Sequence, residues 1–327
     1  MTALTAFLSL VLSFAVSALP ARVLIPLLKK RGLSHTVMIQ RNGGFTPGPT
    51  AAGMGVFPLA AGILTGVLTG GIIALFTEGF VPMTVSRVFG GLVFVLLTAF
   101  AGGADDWRSL RGRERVHPVI DLALFAVIVR FYMALLAAGG DRSDILVLPF
   151  AGQADTGIFY DIFCFVLLLL TCYGSNLSGT DDIACTSAMF TGLSLAAAGG
   201  ILGSTPAAVW GAALAGCALG GLLYGFPPAK LLCGRGGRML FGAAAAASAM
   251  GCGAPALLFF AALPLVFEGI YLLIRLMAFA FAGRTLTADS LAGWLCEKGL
   301  SYRAVSLLMT AVSLAGLVLT VLAAFSM

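Results

Sequence analysis

Long apolar runs recur from one end of the chain to the other, each closed off by a short stretch where charge, Gly or Pro collects. They fall near residues 3–28, 51–76, 84–104, 118–138, 158–174, 183–202, 206–226, 238–251, 254–282 and 302–326. A hydrocarbon core about 30 Å thick requires roughly 20 apolar residues per helical span, so the pattern predicts about ten transmembrane helices. The eighth run is short and the ninth begins almost at once, so that pair is either a tight hairpin or a broken helix. There is no internal repeat and no polar stretch long enough for a separate soluble domain. The expectation is an all-α polytopic membrane protein with a single transmembrane domain over residues 1–327.

Composition agrees with this. Of 327 residues, 60% are hydrophobic and only 10% charged, far from the balance of a water-soluble domain. The first run is not preceded by a basic residue and is followed by Arg22, Lys29, Lys30 and Arg31, so it reads as a span and not as a cleaved leader. The seven cysteines are scattered and form no Cys-x-x-Cys pair, which leaves them as small packing residues. The 42 glycines suit close helix packing in lipid.

Charge then orients the spans. Lys29, Lys30, Arg31 and Arg41 lie in the first loop, Arg108, Arg111, Arg113 and Arg115 in the third, Lys230, Arg235 and Arg238 in the seventh, and Arg284, Lys298 and Arg303 in the ninth. The intervening loops carry essentially Arg142 alone. Basic residues stay on the cytoplasmic face, so the odd loops (29–50, 105–117, 175–182, 227–238, 283–301) are expected inside and both termini outside. Topology and contact with anionic lipid explain most of these basic residues.

Acids are what suggest chemistry. Asp105 and Asp106 follow the third span, and Asp182 precedes the sixth. Adjacent carboxylates at a membrane boundary are costly without a cation. Two cations are available: Mg²⁺, a hard ion that takes oxygen ligands and bridges to phosphates, or the arginines of the next turn, Arg108, Arg111 and Arg113. Within the apolar runs, Arg130, Glu268 and Arg275 are further charged residues. Glu268 and Arg275 are two helical turns apart on one face, where mutual or neighbouring pairing is expected. His35 and His117 lie in basic loops and are assigned no role.

Four motifs, in order along the chain, carry a resemblance. GPTAAG (48–53) resembles the Thr-Pro-Thr-Met-Gly-Gly loop of the phospho-N-acetylmuramoyl-pentapeptide transferase family of polyprenyl-phosphate N-acetylhexosamine-1-phosphate transferases. GGADDW (102–107) resembles its Gly-Phe-x-Asp-Asp-Tyr, NLSGTDDIA (176–184) its Asn-Leu-Thr-Asp-Gly-Leu-Asp-Gly-Leu, and PPAKLLCGRGGRMLFG (227–242) its Pro-Ala-x-x-Phe-Met-Gly-Asp-Thr-Gly-Ser. Glu268 stands where that family has a Glu in its ninth span. The matches cover nearly the whole chain and fall on loops assigned to one side.

The resemblance implies a phospho-sugar transferase of the bacterial plasma membrane working in cell-envelope (peptidoglycan, cell-wall) polymer synthesis. Polyprenyl phosphate and a nucleotide-activated amino sugar would be its substrates and Mg²⁺ its cofactor. Asp105, Asp106 and Asp182 would be its catalytic and metal-holding groups, and Asn176, Arg235 and Thr50 its substrate contacts. The chain also departs from the pattern. A metal-ligand Asp falls on Arg235, the first Asp of the 176–184 motif on Gly179, and a His run on Ala292, Gly293 and Trp294; Ser109 takes the place of a Lys. These departures leave a second class open, a catalytically silent relative that binds lipid phosphate or regulates an active paralogue. A transporter comes third, since the polar residues gather at one face and not at the midplane. A second copy of the chain is a candidate partner, and nucleic acid is not.

Overall fold

The computed structural model describes residues 2–41, 44–114, 116, 118–141, 145–150, 152–282 and 290–327. His117, Arg115, Arg142 and Arg284 fall outside them, as does the side chain of His35. In chain order the elements are α1 (Thr2–Lys30), the antiparallel hairpin β1 (Ser34–Arg41) and β2 (Gly44–Ala52), α2 (Val56–Glu78), and α3 (Pro82–Val85). A π turn (Ser86–Gly90) leads from α3 into α4 (Gly91–Leu110). Then come α5 (Pro118–Ala138), a second hairpin of β3 (Ile145–Leu148) and β4 (Gly152–Asp155), α6 (Ile158–Leu177), α7 (Asp181–Ile201) and α8 (Thr205–Gly225). The chain finishes with α9 (Gly234–Gly251), α10 (Leu257–Ala261), α11 (Leu263–Ala282), α12 (Leu291–Glu297) and α13 (Tyr302–Phe325).

Helix dominates, as expected, but two details differ. Short β-hairpins occupy the connections after α1 and after α5. Among the described residues, eight helices are long and apolar enough to cross a membrane. The eighth and ninth runs depart from plain spans. The eighth is α9, only 18 residues and rich in Gly and Ala. It is enclosed by α2, α4, α6, α7 and α8, and the whole stretch Met239–Gly251 is buried. A helix that touches protein on all sides needs small residues more than strongly apolar ones. The ninth run is broken at Ala262 into α10 and α11.

Helix α1 is turned inside out relative to a helix of a soluble protein. On α1, Thr5, Ser9, Ser13 and Ser17 recur every four residues and are buried, while Leu4, Phe7 and Val11 face outward. Ser13 Oγ donates to the Ala213 carbonyl of α8 at 2.7 Å. Lipid is as apolar as Leu, so helices gain by presenting small, hydrogen-bonding residues to each other and bulky apolar ones to the acyl chains. Both termini sit at one end of the bundle: Thr2 hydrogen-bonds Thr205 at the start of α8, and Ser326 accepts from the Phe150 amide between β3 and β4. The acidic motifs lie at the other end, where α4 and α6 finish and α5, α7 and α9 begin.

Candidate functional site

The site forms where α4 crosses α9. A Cβ on Gly102 would stand 2.7 Å from the Gly236 Cα, and one on Gly236 would stand 2.6 Å from the Gly103 amide nitrogen, so the two backbones touch. That contact carries Asp106, one turn further along α4, to the first amides of α9. Arg235 N donates to Asp106 Oδ1 at 3.0 Å and Gly236 N to Oδ2 at 2.9 Å. Both carboxylate oxygens therefore cap the helix, where unpaired N–H groups and the helix dipole favour an anion. Gly234 makes this possible. Its φ of +70° and the 2.4 Å between an added Cβ and Asp106 Oδ2 leave room for no side chain.

Arg235 reaches across to the neighbouring helices. Its Nη1 donates to Asp105 Oδ2 at 2.8 Å and its Nη2 to Asp121 Oδ2. The other oxygen of Asp105 accepts from the Val116 amide at 2.9 Å. Asp105 and Asp121 are buried, and the Arg235 side chain is only 12% exposed. Three positions on, Arg238 lies on the same side of α9. Its Nε is 3.4 Å from Asp181 Oδ1, and its Nη1 donates to the carbonyls of Gly179 at 3.1 Å and Asn176 at 3.3 Å. Asp182 Oδ1 accepts from the hydroxyls of Thr180 and Tyr302, which brings α13 to the same end.

The motifs are thus joined, though unequally. Asp105, Asp106, Asp182 and Arg235 share one end of the bundle, and Asn176 contributes its backbone carbonyl. GPTAAG docks through its backbone: Ala52 N donates to Lys230 O at 3.0 Å and Leu232 N to Ala52 O at 2.8 Å, so β2 lies along the segment that leads into α9. Thr50 itself is exposed and, among the described residues, makes no hydrogen bond to the carboxylates. Among the described residues, Arg108, Arg111 and Arg113 are not the partners of the Asp pair. Arg111 instead lies over the Trp107 ring, 4.4 Å from its centroid. Glu268 takes the first amides of α12, from Leu291 at 2.7 Å and Ala292 at 3.3 Å, and that backbone, not Arg275, is what its carboxylate holds.

Sequence reasoning missed Asp121, Arg238 and Tyr302 as members of this cluster. Asp121 had a signal, an acid in the first turn of a span beginning on the acidic side. Arg238 had one too, its three-residue spacing from Arg235. Tyr302 had none, because nothing local marks it. At Gly179 the chain has φ +41° and an added Cβ would meet the Ala292 Cβ at 2.8 Å, so the turn is built for glycine and leaves no place for an acidic side chain. Cys233, just before α9, is packed against Cys185 with sulfurs 3.4 Å apart. That hydrogen bond and burial hold its thiol well above the usual cysteine range, so it is a packing residue and not a nucleophile.

Divalent metal does not fit this arrangement. Mg²⁺ demands near-octahedral oxygen ligands, yet Asp105 and Asp106 have both oxygens engaged, and Asp121 and Asp182 each give one to donors of the protein. Among the described residues no group of three or more His, Cys, Asp and Glu side chains converges as a metal site would require.

Residues 88–253 match the sequence model of glycosyl transferase family 4. The chain is similar to the phospho-N-acetylmuramoyl-pentapeptide-transferase of Pelotomaculum thermopropionicum, 27% identical over 334 residues, covering 93% of this chain and 96% of the relative. It is also similar to that of Desulforamulus reducens, 27% identical with 86% of each chain covered. With the enzyme of Synechococcus sp. (strain WH7803) it is 30% identical over 62% of its own length and spans 54% of the relative.

Proposed function

Because the chain belongs to glycosyl transferase family 4, we propose that it is a divergent multi-pass phospho-sugar transferase of the bacterial plasma membrane, acting on a polyprenyl phosphate and a nucleotide-activated amino sugar. The observation that carries this reading is the convergence of motifs from the ends of α4 and α6 and the starts of α7 and α9 on one cluster. In the reaction, an oxygen of the lipid phosphate attacks the sugar-bearing phosphate of the nucleotide sugar. A new P–O bond forms, the diphosphate bridge breaks, and the nucleoside monophosphate leaves with the bridging oxygen. Such chemistry depends on positioning and on charge stabilisation more than on covalent help from the protein. A site at one end of the bundle suits it, since the lipid phosphate lies at headgroup level and the nucleotide arrives from water. Arg238, 23% exposed, is the cation of the cluster best placed to meet phosphate oxygens from outside. Its end of the bundle is the cytoplasmic one in this reading, with both termini opposite.

The lock between Arg235, Asp105 and Asp121 favours a second reading, a family member that binds these substrates without turning them over. Reconstituted protein in vesicles containing polyprenyl phosphate separates the two when given a panel of nucleoside-diphosphate amino sugars. Lipid-dependent release of nucleoside monophosphate supports transfer; saturable binding without release supports the binding-only reading. Neither binding nor release overturns both.

A further inference from the structure

We propose that the carboxylate cluster carries its own cations, with Arg235 as a resident counter-ion and strut in the place of a divalent metal, so that the cluster takes up no Mg²⁺. The argument starts from cost. Asp105, Asp121, Asp181 and Asp182 are all buried and Asp106 partly so, and carboxylates gathered at a membrane boundary need compensating charge. A bound metal is one way to supply it. The helices here supply another.

Four of the five acids sit at helix starts. Asp121 is in the first turn of α5, Asp181 and Asp182 in the first turn of α7, and Asp106 accepts the first amides of α9. At each of these places the positive end of the helix dipole favours an anion. Asp105 is the exception. It stands near the C-terminal end of α4, where the dipole opposes a negative charge, and it is the carboxylate that takes Arg235 at 2.8 Å. The same guanidinium bonds Asp121, so one side chain of α9 ties α4 to α5, which is the bridging work a metal would do. Arg238 Nε lies 3.4 Å from Asp181 Oδ1, an ion pair without a hydrogen bond. A guanidinium has a fixed fork of donors suited to two carboxylates and stays charged at any physiological pH. A divalent ion bridging Asp105 and Asp121 would have to displace it from both carboxylates.

The test uses the metal alone. Full-length protein in lipid nanodiscs is titrated with Mn²⁺, followed by its electron paramagnetic resonance signal, with Mg²⁺ as competitor; thermal unfolding is recorded with and without Mg²⁺. The native chain is expected to show no saturable Mn²⁺ site up to about millimolar concentration and no Mg²⁺-dependent shift in Tm. Arg235→Asp is expected to acquire one Mg²⁺-competable site with at least about tenfold tighter Mn²⁺ binding and a Tm that rises with Mg²⁺. If that variant does not fold, Arg235→Gln takes its place, with a lowered Tm that Mg²⁺ partly restores. One equivalent of Mn²⁺ bound by the native chain, displaced by Mg²⁺ and lost in Asp106→Asn, overturns the inference, as does a folded Arg235 variant with no gain in metal binding. No nucleotide sugar or lipid phosphate is present, so the result is independent of the transferase reading. A native metal site would leave that reading standing, whereas absent nucleotide release would not touch this one.

Discussion

Arg235 Nη1 donates to Asp105 Oδ2 across 2.8 Å in surroundings where the aspartate side chain is 2% exposed, and this pair fixes the start of α9 against the end of α4. Breaking a buried pair by removing one partner leaves the other charged and uncompensated, at a cost of about 3–5 kcal/mol. Arg235→Ala should therefore lower the thermal unfolding midpoint strongly. Arg235→Lys should fall between, since a point charge cannot fork to both Asp105 and Asp121. The double variant Arg235→Gln with Asp105→Asn should recover part of the loss. If Arg235→Ala unfolds at the native temperature, the pair is not structural.

Gly234 should also be intolerant, for a different reason. Alanine there would meet a positive φ and a carboxylate oxygen at once, and the expected cost is about 1–3 kcal/mol. Gly200 on α7 has nothing within 4 Å of an added Cβ and is the control: Gly200→Ala should be neutral or mildly stabilising. Equal midpoints for the two variants would remove the steric argument.

Glu268 holds the first amides of α12 from within α11. Its replacement by Ala removes a charge-assisted acceptor worth about 1.5–3 kcal/mol and should loosen α12 locally. Cys296, on that helix and only partly buried, reports the change. Its labelling by a thiol reagent should accelerate by on the order of tenfold or more, with a smaller effect for Glu268→Gln. An unchanged labelling rate would show that α12 is held by its packing on Ile183, Val305 and Met309 and not by the carboxylate.

Helical spans, their approximate positions and the gathering of Asp105, Asp106, Asp182 and Arg235 were legible in the sequence, because apolar run length and ordered motifs are local signals. The partners of those residues were not. The arginines adjacent in sequence, Arg108, Arg111 and Arg113, are as plausible from sequence as Arg235; what selects Arg235 is the crossing of α9 over α4 at Gly102 and Gly236. A buried helix such as α9 also hides from hydropathy, since Gly and Ala serve protein contacts better than lipid ones. Glu268 was similarly misread: a residue two turns away on its own helix was visible in the sequence, and the amides of a distant short helix were not.

The orientation that the charge bias predicts can be read from two cysteines. In sealed inside-in vesicles, an impermeant thiol reagent should label Ser326→Cys, at the end of the bundle that holds both termini, and leave Cys296 unlabelled until the membrane is opened. The reverse order of labelling would place the acidic cluster outside the cytoplasm and exclude a cytosolic nucleotide sugar as substrate.

The proposed function requires the acidic end of the bundle to hold a nucleotide sugar beside a lipid phosphate, with arginine and not metal as the cation. Equilibrium binding of a nucleoside-diphosphate amino sugar to the native protein in nanodiscs with polyprenyl phosphate, in the presence of EDTA, tests this most directly. Saturable binding that survives EDTA and weakens by about tenfold or more in Arg238→Ala is the predicted result; binding that appears only when Mg²⁺ is supplied, or that ignores Arg238, would contradict it.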